Sequence, residues 1–196
     1  MKAILGKKIG TTQVFTDQGK VVPVTLVEAG PCVVLAVLSK DKNGYEAVQL
    51  GFELLAEKKV TKSMKGKGFR YIKEFRFINE LKTGDTLDVS LFKEGDKVKI
   101  SGISKGKGTQ GGVKRWGFHG RNATRGTKHE ERTIGSVGAA RPSEVWLGKK
   151  MPGHLGFGRV STKNVQVVKV DPEHNIIALK GAVPGMRGTL VEIVGK

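Results

Sequence analysis

Val21-Val22-Pro23-Val24-Thr25-Leu26-Val27-Glu28, then Ala29-Gly30-Pro31, then Cys32-Val33-Val34-Leu35-Ala36-Val37-Leu38, is the stretch that decides the fold class. Two short runs rich in Val and Leu are parted by a turn signal, which is the pattern of consecutive β-strands. Lys40-Asp41-Lys42-Asn43-Gly44 marks the next turn, and residues 44–52 form a third run. The rhythm continues through 69–77, 86–92 and 98–103, with Gly84-Asp85 and Gly95-Asp96 at the connections, and resumes at 165–170, 176–179 and 189–194. So many short strands expose many edges, and closing the sheet on itself removes them. The expected fold is therefore mainly β, a small closed antiparallel barrel. Only residues 53–64 read as helical, with Leu54, Leu55, Ala56 and Val60 among charges and Gly66 and Gly68 beyond them. No internal repeat of 20 to 50 residues is visible.

Residues 101–163 break this rhythm. They hold thirteen Lys/Arg against three acids (Glu130, Glu131, Glu144), half of the 28 glycines and both tryptophans. The whole chain of 196 residues has 35 Lys/Arg, 18 Asp/Glu and a formal net charge of +17. Its most basic stretch is thus also the one with the least apolar periodicity, and it cannot build a core of its own. Ordering about 60 such residues costs roughly 1 to 2 kcal/mol each in backbone entropy, so a partner must supply the order. The expected organisation is a discontinuous barrel, 1–103 plus 164–196, interrupted by a glycine-rich basic insertion at 104–163. A solvated face is a poor account of this charge, because like charges on a coreless segment repel until a polyanion neutralises them.

Other classes are disfavoured. One cysteine, Cys32, allows neither a disulfide framework nor a Cys-based zinc site, and it suits a reducing compartment. The longest apolar run, 32–38, is far short of the roughly 20 residues that a membrane-spanning helix needs. Ala3-Ile4-Leu5 before Gly6-Lys7-Lys8 is no signal-peptide core. The expectation is a soluble, intracellular, polyanion-seeking protein with no membrane partner.

Gly106-Lys107-Gly108-Thr109-Gln110-Gly111 matches G-x-G-x-x-G after a plausible strand, and Glu130 lies near the distance of a ribose ligand. A dinucleotide site, however, requires a helix opening at the third glycine within a βαβ unit, and Gly111-Gly112-Val113-Lys114-Arg115-Trp116-Gly117-Phe118-His119-Gly120 reads as no helix. No Walker sequence occurs. His119, His129, His154 and His174 are scattered without metal-ligand spacing. Glu130-Glu131 reads as a solvated turn, and Ser136 in Gly135-Ser136-Val137-Gly138 falls one residue short of a nucleophile elbow. No catalytic residue, metal, cofactor or small-molecule substrate is expected.

The basic segment does offer cations with aromatic planes between them, Lys114-Arg115-Trp116-Gly117-Phe118 and Trp146-Leu147-Gly148-Lys149-Lys150. Arg and Lys neutralise phosphates, while aromatic rings stack on unpaired bases. For each Trp, packing against the barrel is an equal alternative.

Several of these motifs resemble one family. Ser104-Lys105-Gly106-Lys107-Gly108, Gly111, Val113-Lys114-Arg115-Trp116, Gly148-Lys149-Lys150-Met151, Gly153-His154 and Gly156 are similar to the large-subunit ribosomal protein family L-three in its short bacterial form. Leu5-Gly6-Lys7-Lys8-Ile9-Gly10-Thr11-Thr12, Val168-Lys169-Val170-Asp171 and Lys180-Gly181-Ala182-Val183-Pro184-Gly185 extend the resemblance to both ends. It implies a six-stranded barrel like that of translation factors, and a long loop threading ribosomal RNA toward the peptidyl transferase centre. It also implies an early role in assembly of the cytoplasmic large subunit, with neighbours of the L-fourteen and L-nineteen families, and catalysis left to RNA.

Carried onto this chain, the expected RNA contacts are Lys7, Lys8, Lys105, Lys107, Lys114, Arg115, Trp116, Arg121, Arg125, Lys128, Arg132, Arg141, Trp146, Lys149, Lys150 and Arg159. The loop tip falls at residues 134–142, around Ser136, Val137, Gly138, Ala139 and Ala140. Two positions depart from the family pattern. Lys99 stands where Asp or Asn is frequent, and Ala139 stands where some members carry a methylated Gln, so that modification is expected to be absent. A free assembly cofactor with the same barrel is the runner-up reading, and a nucleotide-dependent RNA-modifying enzyme comes third.

Overall fold

The computed structural model describes residues 2–16, 18–64, 66–76, 81–141 and 143–195. In chain order the strands are β1 (Lys2–Phe15), β2 (Val21–Ala29), β3 (Cys32–Leu38), β4 (Ala47–Leu54), β5 (Phe69–Phe75), β6 (Thr86–Leu87), β7 (Lys97–Ile103), β8 (Thr109–Gln110), β9 (Gly153–His154), β10 (Arg159–Asp171), β11 (Ile176–Lys180) and β12 (Leu190–Gly195). Two single helical turns, α1 (Lys40–Asn43) and α2 (Gly112–Trp116), are the only α-helices among the described residues. The chain divides into two compact units, Met1–Ser104 with Arg159–Lys196, and Lys105–Gly158.

The first unit contains the closed six-stranded barrel, in the order β1-β12-β7-β10-β11-β2, with every pair antiparallel. Closure depends on two long strands that each pass from one neighbour to another. β1 pairs with β12 over its first half and with β2 over its second, with a register shift between Lys8 and Gly10. β10 pairs with β7 from Arg159 and with β11 from Val167, with shifts between Thr162 and Val165 and between Val167 and Lys169. Such irregularities increase local twist and bend a strand, which is what a small barrel requires. At Gly6, where β1 meets both neighbours, an added Cβ would lie 2.7 Å from the Glu28 carbonyl and 2.7 Å from Val27 Cγ1. Glycine is therefore required by close approach at that crossing.

Ile4, Val27, Ile100, Val167, Ile177, Leu179, Val191 and Ile193 fill the barrel interior without measurable exposure. Alternation along β12 sends Val191 and Ile193 inward and leaves Leu190 and Glu192 partly open, as period-2 geometry demands. Two buried polar side chains are satisfied locally. The Thr25 hydroxyl donates to the Gly181 carbonyl at 2.6 Å, and Ser101 Oγ lies 2.7 Å from Ser161 Oγ across the β7–β10 ladder.

The strand reading from sequence holds for β2, β7, β11, β12 and the second half of β10, but it gave no strand at residues 2–15, where β1 forms, and none at 159–164; the structure also adds a second sheet of order β5-β4-β3-β6. β2 already has β1 on one side and β11 on the other, so β3, although next in sequence, finds no free edge there and starts the second sheet. Val34, Val48, Leu50, Phe52 and Phe75 of that sheet belong to the same hydrophobic cluster as the barrel interior. Of the expected strand at 69–77, Phe77 lies outside the described residues. The expected strand at 86–92 is reduced to β6 followed by a 3-10 turn at Val89–Leu91. The expected helix at 53–64 does not form. Those residues instead finish β4 and make two 3-10 turns, Glu57–Lys59 and Lys62–Met64, neither with a buried residue. Four apolar side chains that form no stripe are too few to hold a helix on the core.

Cys32 joins the two sheets. The Leu5 N–H donates to its Sγ at 3.4 Å and its thiol donates to the Leu5 carbonyl at 3.5 Å. Burial pushes the thiol from an ordinary value of 9.0 up to about 12, with the Leu5 hydrogen bond opposing and the Asp88 charge adding.

Gly51→Ala places a Cβ 2.7 Å from the Phe69 ring and 3.1 Å from Leu35 Cδ1 and should cost about 1 to 3 kcal/mol in urea unfolding. Gly10→Ala, with nothing within 4 Å, should change stability by less than about 0.5 kcal/mol. Between pH 9.0 and about 12 the unfolded thiol loses its proton while the folded one keeps it, so Cys32 makes stability fall as pH rises through that window. Unfolding free energies of the wild type and Cys32→Ala, measured from pH 8 upward, should therefore converge as pH rises.

Candidate nucleic-acid interface

The unit Lys105–Gly158 is built almost without a core: Gly112 is the one fully buried residue among those described there. What shape it has comes from backbone pairing and from glycines. β8 and β9 pair through Thr109 with His154 and Gln110 with Gly153. The pairing is extended by Lys107 N–H donating to the Leu155 carbonyl at 2.9 Å and Leu155 N–H donating to the Gly108 carbonyl at 3.0 Å. α2 follows directly and ends at Gly117, whose φ of 74° is left-handed and whose N–H donates to the Val113 carbonyl. The sequence reading excluded a helix here, but one turn forms, and its Gly112 leaves Ile134 Cγ2 the space that a Cβ would occupy. A two-residue strand before a five-residue helix is not a dinucleotide fold, and the G-x-G-x-x-G match carries no site.

At the C-terminal end of α2, one carbonyl gathers a cluster. Met151 O accepts from Arg115 Nη1 at 2.7 Å and from Trp116 Nε1 at 2.9 Å. The Arg115 guanidinium carbon lies 4.9 Å from the Trp116 ring centroid, and Lys150 Nζ lies 5.6 Å from it. Gly153 permits this, since a Cβ there would stand 2.7 Å from Arg115 Nη1. Four residues separated by some 35 positions in sequence thus meet, and the Met151 carbonyl that joins them carried no signal in the sequence.

The remaining expected contacts divide by their partners. Lys105, Lys107, Lys114, Arg125, Lys128, Arg132, Arg141 and Lys149 are exposed and make no ion pair among the described residues. Arg121 pairs with Glu130 at 2.7 Å. Trp146 is 70% exposed beside a fully exposed Leu147, so packing does not occupy its ring. In the expected tip, Ser136 Oγ donates to the Gly138 carbonyl at 2.7 Å, and Val137, Ala139 and Ala140 are exposed. Pro142, the end of that tip, lies outside the described residues.

Three expected contacts sit in the barrel unit with their charges already engaged. Lys7 Nζ is 3.4 Å from Glu53, which Arg70 also approaches at 3.5 Å. Lys8 Nζ donates to the Val183 and Gly185 carbonyls at 2.7 and 3.2 Å. Arg159, at the start of β10, pairs with Glu192 on β12. Among the described residues no group of three or more His, Cys, Asp or Glu could hold a metal, and no helix is long and apolar enough to cross a membrane.

Comparison with known proteins gives one consistent result. Residues 62–175 match the family model "Ribosomal protein L3". The large ribosomal subunit protein uL3 of Carboxydothermus hydrogenoformans is 48% identical over 98% of this chain and 96% of its own length. Its counterparts in Pelotomaculum thermopropionicum and Petrotoga mobilis are 45% and 46% identical over 98% of this chain, and over 95% and 94% of their own lengths. A family model covering more than half of the chain, together with relatives of nearly half identity end to end, shows that this chain belongs to the ribosomal protein L3 family.

Proposed function

We propose that the chain is a structural constituent of the large ribosomal subunit that binds ribosomal RNA chiefly through Lys105–Gly158. The observation that carries this reading is the pairing of charge with lack of core. That unit has eleven Lys/Arg against three Glu, and one fully buried residue among those described. A segment of this kind gains order and neutralises its charge on a polyphosphate backbone. Its relatives are named as large-subunit proteins, which supports ribosomal RNA as the polyanion. The protein is a structural component, not an enzyme, and works in the cytoplasm within the subunit. The finer parts of the proposal follow the family resemblance: early binding during assembly, residues 134–142 directed toward the peptidyl transferase centre, and neighbours of the L-fourteen and L-nineteen families.

Binding to large-subunit RNA should weaken with salt at a log–log slope near −0.7 to −0.9 per phosphate neutralised. Replacing Lys149 and Lys150 by Gln should make that slope shallower by about one to two units, measured by filter binding across a salt series. An unchanged slope would assign the pair to solvent.

At the tip, Gly138 has ordinary backbone geometry, with the Glu144 carbonyl 3.7 Å from an added Cβ. Gly138→Trp should therefore leave thermal stability nearly unchanged while impairing peptide-bond formation by purified large subunits that carry the variant at full occupancy. Normal incorporation with unaltered peptide-bond formation and antibiotic sensitivity would show that the tip is not placed near the peptidyl transferase centre. Failure to incorporate would assign the tip to assembly.

A further inference from the structure

Trp116 has two sequence readings, a base-stacking ring or a packing ring, and its surroundings point to a third role. Its N–H is committed to the Met151 carbonyl, which holds the indole in place. Two cations from different parts of the chain lie over that indole, Arg115 at 4.9 Å and Lys150 at 5.6 Å. The electron-rich face of an indole attracts such cations. An aromatic face that carries a cation is not free to receive a base.

The two cations are themselves unneutralised. No carboxylate lies within ion-pairing distance of Arg115 or Lys150 among the described residues. Arg115 uses Nη1 on Met151 and retains its other N–H donors; Lys150 is exposed with three. Two like charges gathered on one ring repel, and an anion that bridges them removes that repulsion. Single-stranded nucleic acid presents phosphates in close succession, and a fixed guanidinium fork beside an ammonium suits adjacent ones.

We propose that Trp116 is the platform of a phosphate clamp, in which Arg115 and Lys150 bind neighbouring backbone phosphates of one RNA strand while the ring itself stacks on no base. This rests on the RNA-binding reading above and specifies the chemistry that one site recognises: the sugar-phosphate backbone, without base identity. Gly153 belongs to the device, because any side chain there would displace the Arg115 fork.

The test uses the full chain carrying Trp146→Phe, which leaves Trp116 as the sole tryptophan emitter. Two probes of equal length are titrated across a salt series, oligouridylate and the corresponding abasic ribose-phosphate oligomer. The clamp predicts the same change in Trp116 emission with both probes, at matching salt slopes. Arg115→Gln or Lys150→Gln in that background should each make the slope shallower by about one unit. Lys150→Gln alters only an exposed side chain, so its folding is not in doubt. Quenching by oligouridylate but not by the abasic oligomer would overturn the clamp in favour of stacking. Binding of both probes with silent Trp116 emission, or slopes unaffected by either substitution, would overturn it while leaving RNA binding intact. Failure of both probes to bind at low salt would overturn the clamp alone if large-subunit RNA still binds, and would remove the RNA-binding reading with it if that RNA does not.

Discussion

The β7–β10 ladder is the constraint on which the rest of the molecule depends. Ile103 pairs with Arg159, Gly102 with Val160 and Ser101 with Ser161, so the residues between Ser104 and Arg159 leave the barrel and return to it at adjacent positions. The same two strands are structural members of the barrel, because β7 also pairs with β12 and β10 also pairs with β11. Closing the barrel and joining the two ends of the basic unit are therefore one event. A segment with almost no buried side chain can be carried by this chain because its ends are held by a ladder it does not have to stabilise.

The division of labour follows from where apolar and charged residues were placed. In the barrel unit, fully buried Val, Ile and Leu make one cluster, and cations that lie near it find local partners: Lys7 with Glu53, Lys8 with two carbonyls, Arg159 with Glu192. In Lys105–Gly158 the ratio is reversed, and most cations make no ion pair among the described residues. Pairs of the first kind at a surface are worth little to stability, about 0 to 1 kcal/mol, but they lower the free charge that the barrel presents. The excess of positive charge is concentrated where there is no core to disturb.

β2, β7, β11 and β12 were legible because they are short runs rich in Val, Ile and Leu with Gly, Asp and Pro between them, a local signal; the long β1, with Gly6-Lys7-Lys8-Ile9-Gly10-Thr11-Thr12 at its centre, carries no such run and was not. Which strands pair was not, since the exclusion of β3 from the barrel depends on β11, almost 140 residues later, occupying the far side of β2. Residues 53–64 misread as helix because good helix formers such as Leu54, Leu55 and Ala56 stand together there; tertiary packing gave them no face to cover. The basic segment was legible from charge and glycine count alone. Its inner arrangement was not: the Met151 carbonyl, the space above Gly112 and the engagement of Lys8 by Val183 and Gly185 are contacts across long sequence separations. The glycine pair Gly111-Gly112 was the available hint that a side chain approaches closely.

The central claim is that a self-sufficient barrel carries a coreless basic unit whose order comes from RNA. Hydrogen exchange of the full chain, with and without large-subunit ribosomal RNA, measures this most directly. The account predicts that amides of the β1-β12-β7-β10-β11-β2 barrel are protected in both states, whereas those of Lys105–Gly158 exchange rapidly alone and become protected on RNA. Uniform protection of both units without RNA, or rapid exchange of Lys105–Gly158 that RNA leaves unchanged, would contradict it.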